Sequence, residues 1–386
     1  MPLLNIEPKR PGNPGGTPRS LIRDPKLRKE IRILKQTKVL QWLKTEIYSS
    51  PEILALVLGF TNRQSVHKTL AAMEEYGLIR QGRVAIVGGH QTLWGITEHG
   101  QAMAFDEGKD EEPSGKTFEP GRISALRLRH ILELQKLKWQ AMQAGWTGWK
   151  NCDRGVKPQK RKDFKHRPDV RVIDPAGKVV AVELELTFKA IKRYAEEVIP
   201  AHARQIYVEE NYQHVLWVCP TAADVKRMRN LISQAQEQIK RGSSKALEQL
   251  AAYREETGVK RVFRFGSLDD WTQQWEGRPE DRTKNVRAYL WNRFYQASRA
   301  NKSFESQSYE EQEWMAATDH ELIQQTRTDY ICAVKERQQE EEAKQARQQQ
   351  EQRRQQEEAN RRYAEEQEAQ RRANTLMGKV SKLFGQ

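Results

Sequence analysis

Asp169, Glu183 and Glu185 stand where a short hairpin would bring three carboxylates onto one face, a donor set that suits a divalent metal ion. The turn sets the geometry. Asp174 and Lys178 flank Pro175, Ala176 and Gly177, a three-residue loop in which proline supplies a φ of about −65° and glycine tolerates positive φ. If Asp174 opposes Lys178, Asp169 lies directly across from Glu183. Glu185 then follows on the same face, because side chains alternate along a strand. The other face carries Val180, Val182, Leu184 and Leu186, an apolar row that must be covered. Like charges opposite one another repel, so this cluster requires a cation or protons. Mg2+, a hard ion that takes oxygen ligands, matches the donors, and Mn2+ is its near substitute.

A plainer arrangement uses the same residues. Glu183 and Glu185 could form the solvated face of an ordinary amphipathic strand, with Arg167, opposite Glu185 in this register, neutralising it. A bulge that slips the pairing by one residue would separate the carboxylates.

The elements that must position this hairpin define an α/β core over residues 121–270. Ile123, Leu126, His130, Leu134 and Leu137 recur at helical spacing, with Glu133 beside the stripe, and the helix should end near Gly145. A basic stretch follows from Lys150 to Arg167, containing Lys157, Lys160, Arg161, Lys162 and Lys165. It reads either as a phosphate-facing loop beside the metal cluster or as a lysine-rich surface loop. Beyond the hairpin, the pattern predicts a helix from Phe188 to Glu209 interrupted near Pro200 and a buried strand from Gln213 to Cys219. A helix from Ala222 to Ala252 and a strand from Val259 to Phe265 complete the core.

Upstream, residues 38–104 predict a winged helix-turn-helix. Ser50 caps and Pro51 starts a helix with Ile53, Leu54, Val57 and Phe60 inward, and Thr61 with Gln64 forms a capping-box pattern opening the next. That second helix buries Val66, Leu70 and Met73 and offers Asn62, Arg63, His67 and Lys68, the residue types a recognition helix presents to base edges and phosphates. Arg83–Val87, Gly88, Gly89 and Thr92–Thr97 form the wing. Such modules also dock proteins, and this wing is poor in cations. Residues 1–37 read as a flexible basic arm and 105–120 as an acidic, turn-rich linker. Residues 271–334 read as a helical segment with Trp291, Phe294, Tyr295, Trp314 and Tyr330 available for packing. The last segment, 335–386, is a charged Glu/Gln/Arg tail without an apolar seam, expected to be one solvated helix. Its apolar end, Leu376 to Phe384, could dock on a partner or stand in solvent.

Sixty-six Lys and Arg against fifty-two Asp and Glu leave a formal charge of +14, which favours a polyanionic partner, DNA first. Cys152, Cys219 and Cys332 lack the CxxC spacing of a zinc ribbon and imply no disulfide framework, which suits the cytoplasm. No apolar run approaches the roughly 20 residues needed to span a bilayer.

At Pro168-Asp169 followed by Glu183-x-Glu185, the chain resembles the PD-(D/E)xK nucleases, whose active site lies on such a hairpin after a first helix. The usual lysine of that motif is Glu185 here, and Lys189 at the start of the next helix would replace it. Together with the upstream winged helix, the stretches Leu128–Leu132 and Val180–Lys189 resemble the plasmid replication-relaxation family, which includes MobC-type relaxases. The likeness covers about residues 40–270. It implies that Asp169, Glu183 and Glu185 hold the metal, that Lys189 assists at the phosphate, and that His130 and Glu133 line the site. For His130 a packed core role is the alternative.

The commoner relaxase class uses two histidines two positions apart, and no two of the eight histidines here are so placed. The implied activity is metal-dependent nicking of one DNA strand at a plasmid transfer origin, with double-stranded and nicked DNA as partners and a mobilisation or coupling protein on the C-terminal tail. Water or a protein hydroxyl could attack, and Tyr194 and Tyr207 are the tyrosines nearest along the chain. The rival is a non-catalytic DNA-binding regulator of plasmid replication or mobilisation on a nuclease-like scaffold. A third reading is a hydrolytic nuclease that leaves no protein on the cut end.

Overall fold

A computed structural model describes residues 24–104, 116–152, 166–273, 281–299 and 309–383. The chain is mixed α/β, with two sheets, and divides into two compact units, Met1–Asn285 and Val286–Gln386. No helix among the described residues is long and apolar enough to cross a membrane.

Asp24 caps α1 (Pro25–Glu46) by accepting from the Lys26 N–H at 2.9 Å, so helix begins inside the expected 1–37 arm. Ser50 caps α2 (Pro51–Leu58) and Pro51 starts it, as the sequence predicts. The cap of α3 (Arg63–Glu75) differs: Asn62, not Thr61, accepts from the Gln64 N–H at 2.8 Å, the short amide reach that asparagine supplies. Val66, Leu70 and Met73 of α3 are buried as expected. The hairpin β2 (Ile79–Ile86) and β3 (Gly89–Ile96) pairs antiparallel, with Ile86 opposite Gly89. A short strand β1 (Tyr48–Ser49) extends it to the order β1-β3-β2. α4 (Glu98–Ala104) follows.

Phe118, at the end of the expected linker, is a buried core residue rather than spacer. Its ring lies over Gly95, where a Cβ would meet Phe118 at 2.1 Å, so only glycine fits there.

In the second sheet the order is β4 (Thr147–Asn151), β5 (Val170–Ile173), β6 (Val179–Leu184), β7 (His214–Cys219), β8 (Phe263–Ser267). The first three strands form an antiparallel meander, and β6, β7 and β8 run parallel. Val170 opposes Val182 and Ile173 opposes Val179, the register the Asp174–Lys178 turn predicts. The turn closes through the Asp174 N–H on the Lys178 carbonyl, with Gly177 at φ 80°. α5 (Ala125–Gln143) packs Leu134, Leu137 and Ala141 onto Val180, Val182 and Leu184. Leu126, expected inward, is exposed, because the buried stripe starts two residues later at Leu128.

After β6 come α6 (Ile191–Arg193), a π-helical turn (Tyr194–Val198) and α7 (Ile199–Tyr207). The helical run therefore continues from Ile191 to Tyr207, and the expected interruption near Pro200 is the π-helical turn that ends two residues before it, where the proline's missing N–H leaves the tighter ladder incomplete. The expected helix 222–252 is two, α8 (Ala222–Arg241) and α9 (Lys245–Thr257), parted at Gly242-Ser243-Ser244. Gly258 in the left-handed region ends α9, and the last strand begins at Phe263 rather than Val259.

Residues Val286–Gln386 carry most of α10 (Arg282–Arg299) and all of α11 (Tyr309–Leu383). Tyr330 meets the Trp291 ring edge-on at 5.1 Å and Phe294 at 5.7 Å, and Arg287 pairs with Asp329. From Lys335 to Arg362 every side chain is exposed, as a solvated helix requires. Phe384 and the Trp314 side chain lie outside the described residues.

His214, buried at the start of β7, gives a pH prediction. Burial, then the Arg264 and Lys178 charges, hold its imidazole down at about 3. An unfolded chain protonates this histidine near 6.5, so unfolding takes up a proton below that pH. Its stabilising contribution is complete above pH 6.5 and is lost as pH falls toward 3. Urea unfolding from pH 7 to 4.5 should show His214→Gln losing on the order of 2 kcal/mol less stability than wild type over that interval. Parallel slopes would refute it.

Candidate metal centre

Both acids of the second strand are buried: Glu183 is 3% exposed and Glu185 2%. Neither belongs to a solvated face. The cover is the layer that follows, in which the π-helical turn and α7 lay Tyr194, Val198, Ile199 and His202 over the sheet. Trp217, the β7 neighbour of Glu183, is edge-on to both Tyr194 and His202.

Asp169 sits one residue before β5, opposite Glu183 in the continued register. Its Oδ2 accepts from the Leu184 N–H at 2.8 Å and lies 3.3 Å from His130 Nε2, which is also 3.2 Å from the Leu184 carbonyl. Its own carbonyl accepts from the Cys152 N–H, tying β4 to the mouth of the hairpin. His130 therefore fastens α5 to the ends of both hairpin strands.

Lys189 pairs with Glu185, the fourth residue before it, and the Lys189 N–H donates to the Tyr194 hydroxyl at 3.2 Å. No family model, curated protein or solved structure matches the chain.

Two residues the sequence reading passed over complete the cluster. His166 Nε2 lies 2.8 Å from Glu183 Oε1, and His202 Nε2 lies 3.2 Å from the same oxygen. These three donor atoms all lie within 4.8 Å of one another, the one such grouping of metal-ligating side chains among the described residues. His202 had a sequence signal: Val198, Ile199, His202 and Ile206 fall on one helical stripe, so a histidine stands where the pattern demands an apolar residue. His166 offered only its place two residues before Pro168.

Burial works against ionisation of Glu183, yet His166 and then His202 outweigh it and hold the carboxyl at about 2. Glu185 goes the other way. Burial lifts it above the usual carboxylate range, Lys189 opposes that, and Glu183 and Asp169 add to it. His166 and His130 are raised despite burial, by Glu183 and Asp169 respectively. Burial keeps His202 below its ordinary value and therefore neutral. The site thus grades from a permanently ionised, enclosed Glu183 to an outer edge of Asp169, His130 and Lys189 that reaches solvent.

Of the other expected site residues, Glu133 pairs with Lys136 on its own helix at 2.9 Å, its polar contact among the described residues. Asn62 is spent as a helix cap, Arg63 and Lys68 are exposed on α3, and His67 is half-buried with Arg63 3.5 Å away. Lys160, Arg161, Lys162 and Lys165 lie outside the described residues.

Proposed function

We propose that this chain is a metal-dependent DNA-nicking enzyme, a plasmid mobilisation relaxase in which a winged helix reads the DNA and a nuclease-like core cuts one strand. The observation that carries the reading is the burial of Glu183 and Glu185 side by side, with Asp169 at the strand end. Two adjacent buried carboxylates are expensive for a fold that does not use them. The order of first helix, antiparallel hairpin with its acids, helix and parallel strand supports a nuclease-like core. Three helices followed by a hairpin, with α3 presenting Arg63 and Lys68, support the winged helix.

Asp169, Glu183 and Glu185 offer the oxygens that Mg2+ or Mn2+ takes. Among the described residues, however, the donors gathered within 4.8 Å are those of His166, Glu183 and His202, so an all-oxygen site needs Asp169 and Glu185 to close on Glu183. A divalent ion held there supplies charge stabilisation to a phosphoryl oxygen and acidifies a water. Lys189, a quarter exposed and paired with Glu185, is the cation proposed to meet the scissile phosphate. His130 is a positioning residue, since its contacts are with Asp169 and the Leu184 carbonyl.

Neither neighbouring tyrosine suits attack. Tyr194 is fully buried with its hydroxyl on the Lys189 N–H, and burial pushes its phenol up. Tyr207 bonds Glu256 at 3.3 Å on the exposed end of α7. The attacking group is therefore neither of these tyrosines, and the cut end shows whether it is water or another hydroxyl of the chain.

Supercoiled plasmid carrying candidate origin DNA, incubated with the full chain and Mg2+ or Mn2+, should become nicked. Arg63→Ala/Lys68→Ala should bind that DNA more weakly, with a salt slope shallower by about 2. Retarded product that protease restores marks the relaxase, and product without attached protein marks the hydrolytic nuclease instead. Binding without any cutting would favour the non-catalytic regulator.

A further inference from the structure

We propose that His166, Glu183 and His202 bind one zinc-type transition-metal ion, at a position enclosed behind the three-carboxylate cluster and distinct from it in ligand chemistry. Two imidazoles and one carboxylate are a donor set that Zn2+ takes readily and Mg2+ does not, because Mg2+ keeps oxygen ligands and sheds its waters reluctantly. The site shares Glu183 with the proposed cleavage centre, but it stands or falls on metal binding alone.

The second observation is His202 itself. This side chain is fully buried, and its Nε2 makes no hydrogen bond, although it points at Glu183 Oε1 from 3.2 Å. Its other nitrogen, Nδ1, lies 2.7 Å from the buried Tyr212 hydroxyl. If Nδ1–H donates to that oxygen, Nε2 presents a bare lone pair to a carboxylate oxygen. Two acceptors at that distance repel unless a proton or a metal ion lies between them, and it is the metal-bound form that keeps the Nδ1 proton on the Tyr212 side.

Fixing the far nitrogen of a ligating histidine through a partner is the usual way a protein sets its tautomer, and Tyr212 is placed to do so. Two donors held at about 2.1 Å from a tetrahedral ion stand about 3.4 Å apart. The separations of 2.8 and 3.2 Å from Glu183 Oε1 need only a small opening to reach this. His166, from the segment before β5, and His202, from α7, approach Glu183 from different elements, so the ion would also pin α7 to the hairpin.

The test uses the full chain, stripped with a chelator and titrated with Co2+ in the absence of DNA, followed by the visible absorption of the bound ion. Wild type should take up one equivalent, lose it to equimolar Zn2+, and retain it in about a hundredfold excess of Mg2+. His166→Ala and His202→Ala should each weaken uptake by at least about 100-fold, and Tyr212→Phe by about 10-fold through the lost partner on Nδ1. Asp169→Asn should bind Co2+ as wild type does while abolishing Mg2+-dependent nicking. His166, closer to the surface than His202, guards against a folding failure, and circular dichroism reports on each variant. No uptake by wild type, or undiminished uptake by a folded His166→Ala, overturns the inference. Nicking with Mg2+ but no Co2+ uptake would sink this site and leave the cleavage reading standing. Triad-dependent uptake without any cutting would do the reverse.

Discussion

Glu183→Gln is expected to reduce metal-dependent nicking by at least about a thousandfold, the order of loss that follows removal of a principal electrostatic group from an active site. Glutamine keeps the volume and one carbonyl oxygen, so the layer of Tyr194, His202 and Trp217 has no cavity to collapse into. What disappears is the charge. The Glu183 carboxyl is held at about 2, so wild type carries that charge at neutral pH. The imidazoles feel the change directly: His166, whose proton affinity is raised by Glu183, should titrate at lower pH in the variant. An NMR titration of His166 reads that shift independently of catalysis. With α3 proposed to read the DNA, affinity for it should stay within a factor of about two by fluorescence anisotropy. A Glu183→Gln protein that nicks plasmid at the wild-type rate would refute the placement of the active site.

The hairpin was legible because its determinants are local. A proline and a glycine in a three-residue turn set one pairing, Asp174 to Lys178, and strand periodicity propagates it to Val170 and Val182. The same rule put Asp169 opposite Glu183. What strand periodicity cannot report is what covers a face, and here the acid-bearing face is covered by a helix that arrives after the strand. Burial of Glu183 and Glu185, the ring stack above them, and the contribution of His202 therefore depend on how α7 packs.

Strand β4 escaped for a different reason. It is five residues long, half-exposed throughout, irregular in register between Thr147 and Lys150, and has Gly148 at φ 62°, so no alternation marks it. The break between α8 and α9 was visible as Gly242-Ser243-Ser244 and was outweighed by the helical stripe on either side. Helix caps sit at the limit of such reading: Ser50 caps as expected, while Asn62 displaced Thr61 one residue away.

Trp217→Ala should cost the first unit about 3–5 kcal/mol, the range for deleting a large buried aromatic side chain, read as a lowered urea midpoint. Trp217 is fully buried on the interior strand β7, beside Glu183 in the parallel register. Its ring meets Tyr194 at 5.9 Å and His202 at 5.7 Å, both edge-on, so it is the floor on which the helical cover rests. Removing it opens a cavity directly under the site. Tyr194 and His202 would lose the contact that fixes their rings, so Co2+ affinity should fall together with stability. Trp217→Phe separates packing from polarity, because the indole Nε1 makes no hydrogen bond among the described residues. Phenylalanine therefore forfeits no polar partner and should recover more than half of the lost stability, along with metal uptake. If Trp217→Ala instead unfolds within about 1 kcal/mol of wild type, the aromatic layer does not hold the cover in place. The enclosure of Glu183 would then have to come from α7 packing on its own apolar stripe, Val198, Ile199, Ala203 and Ile206.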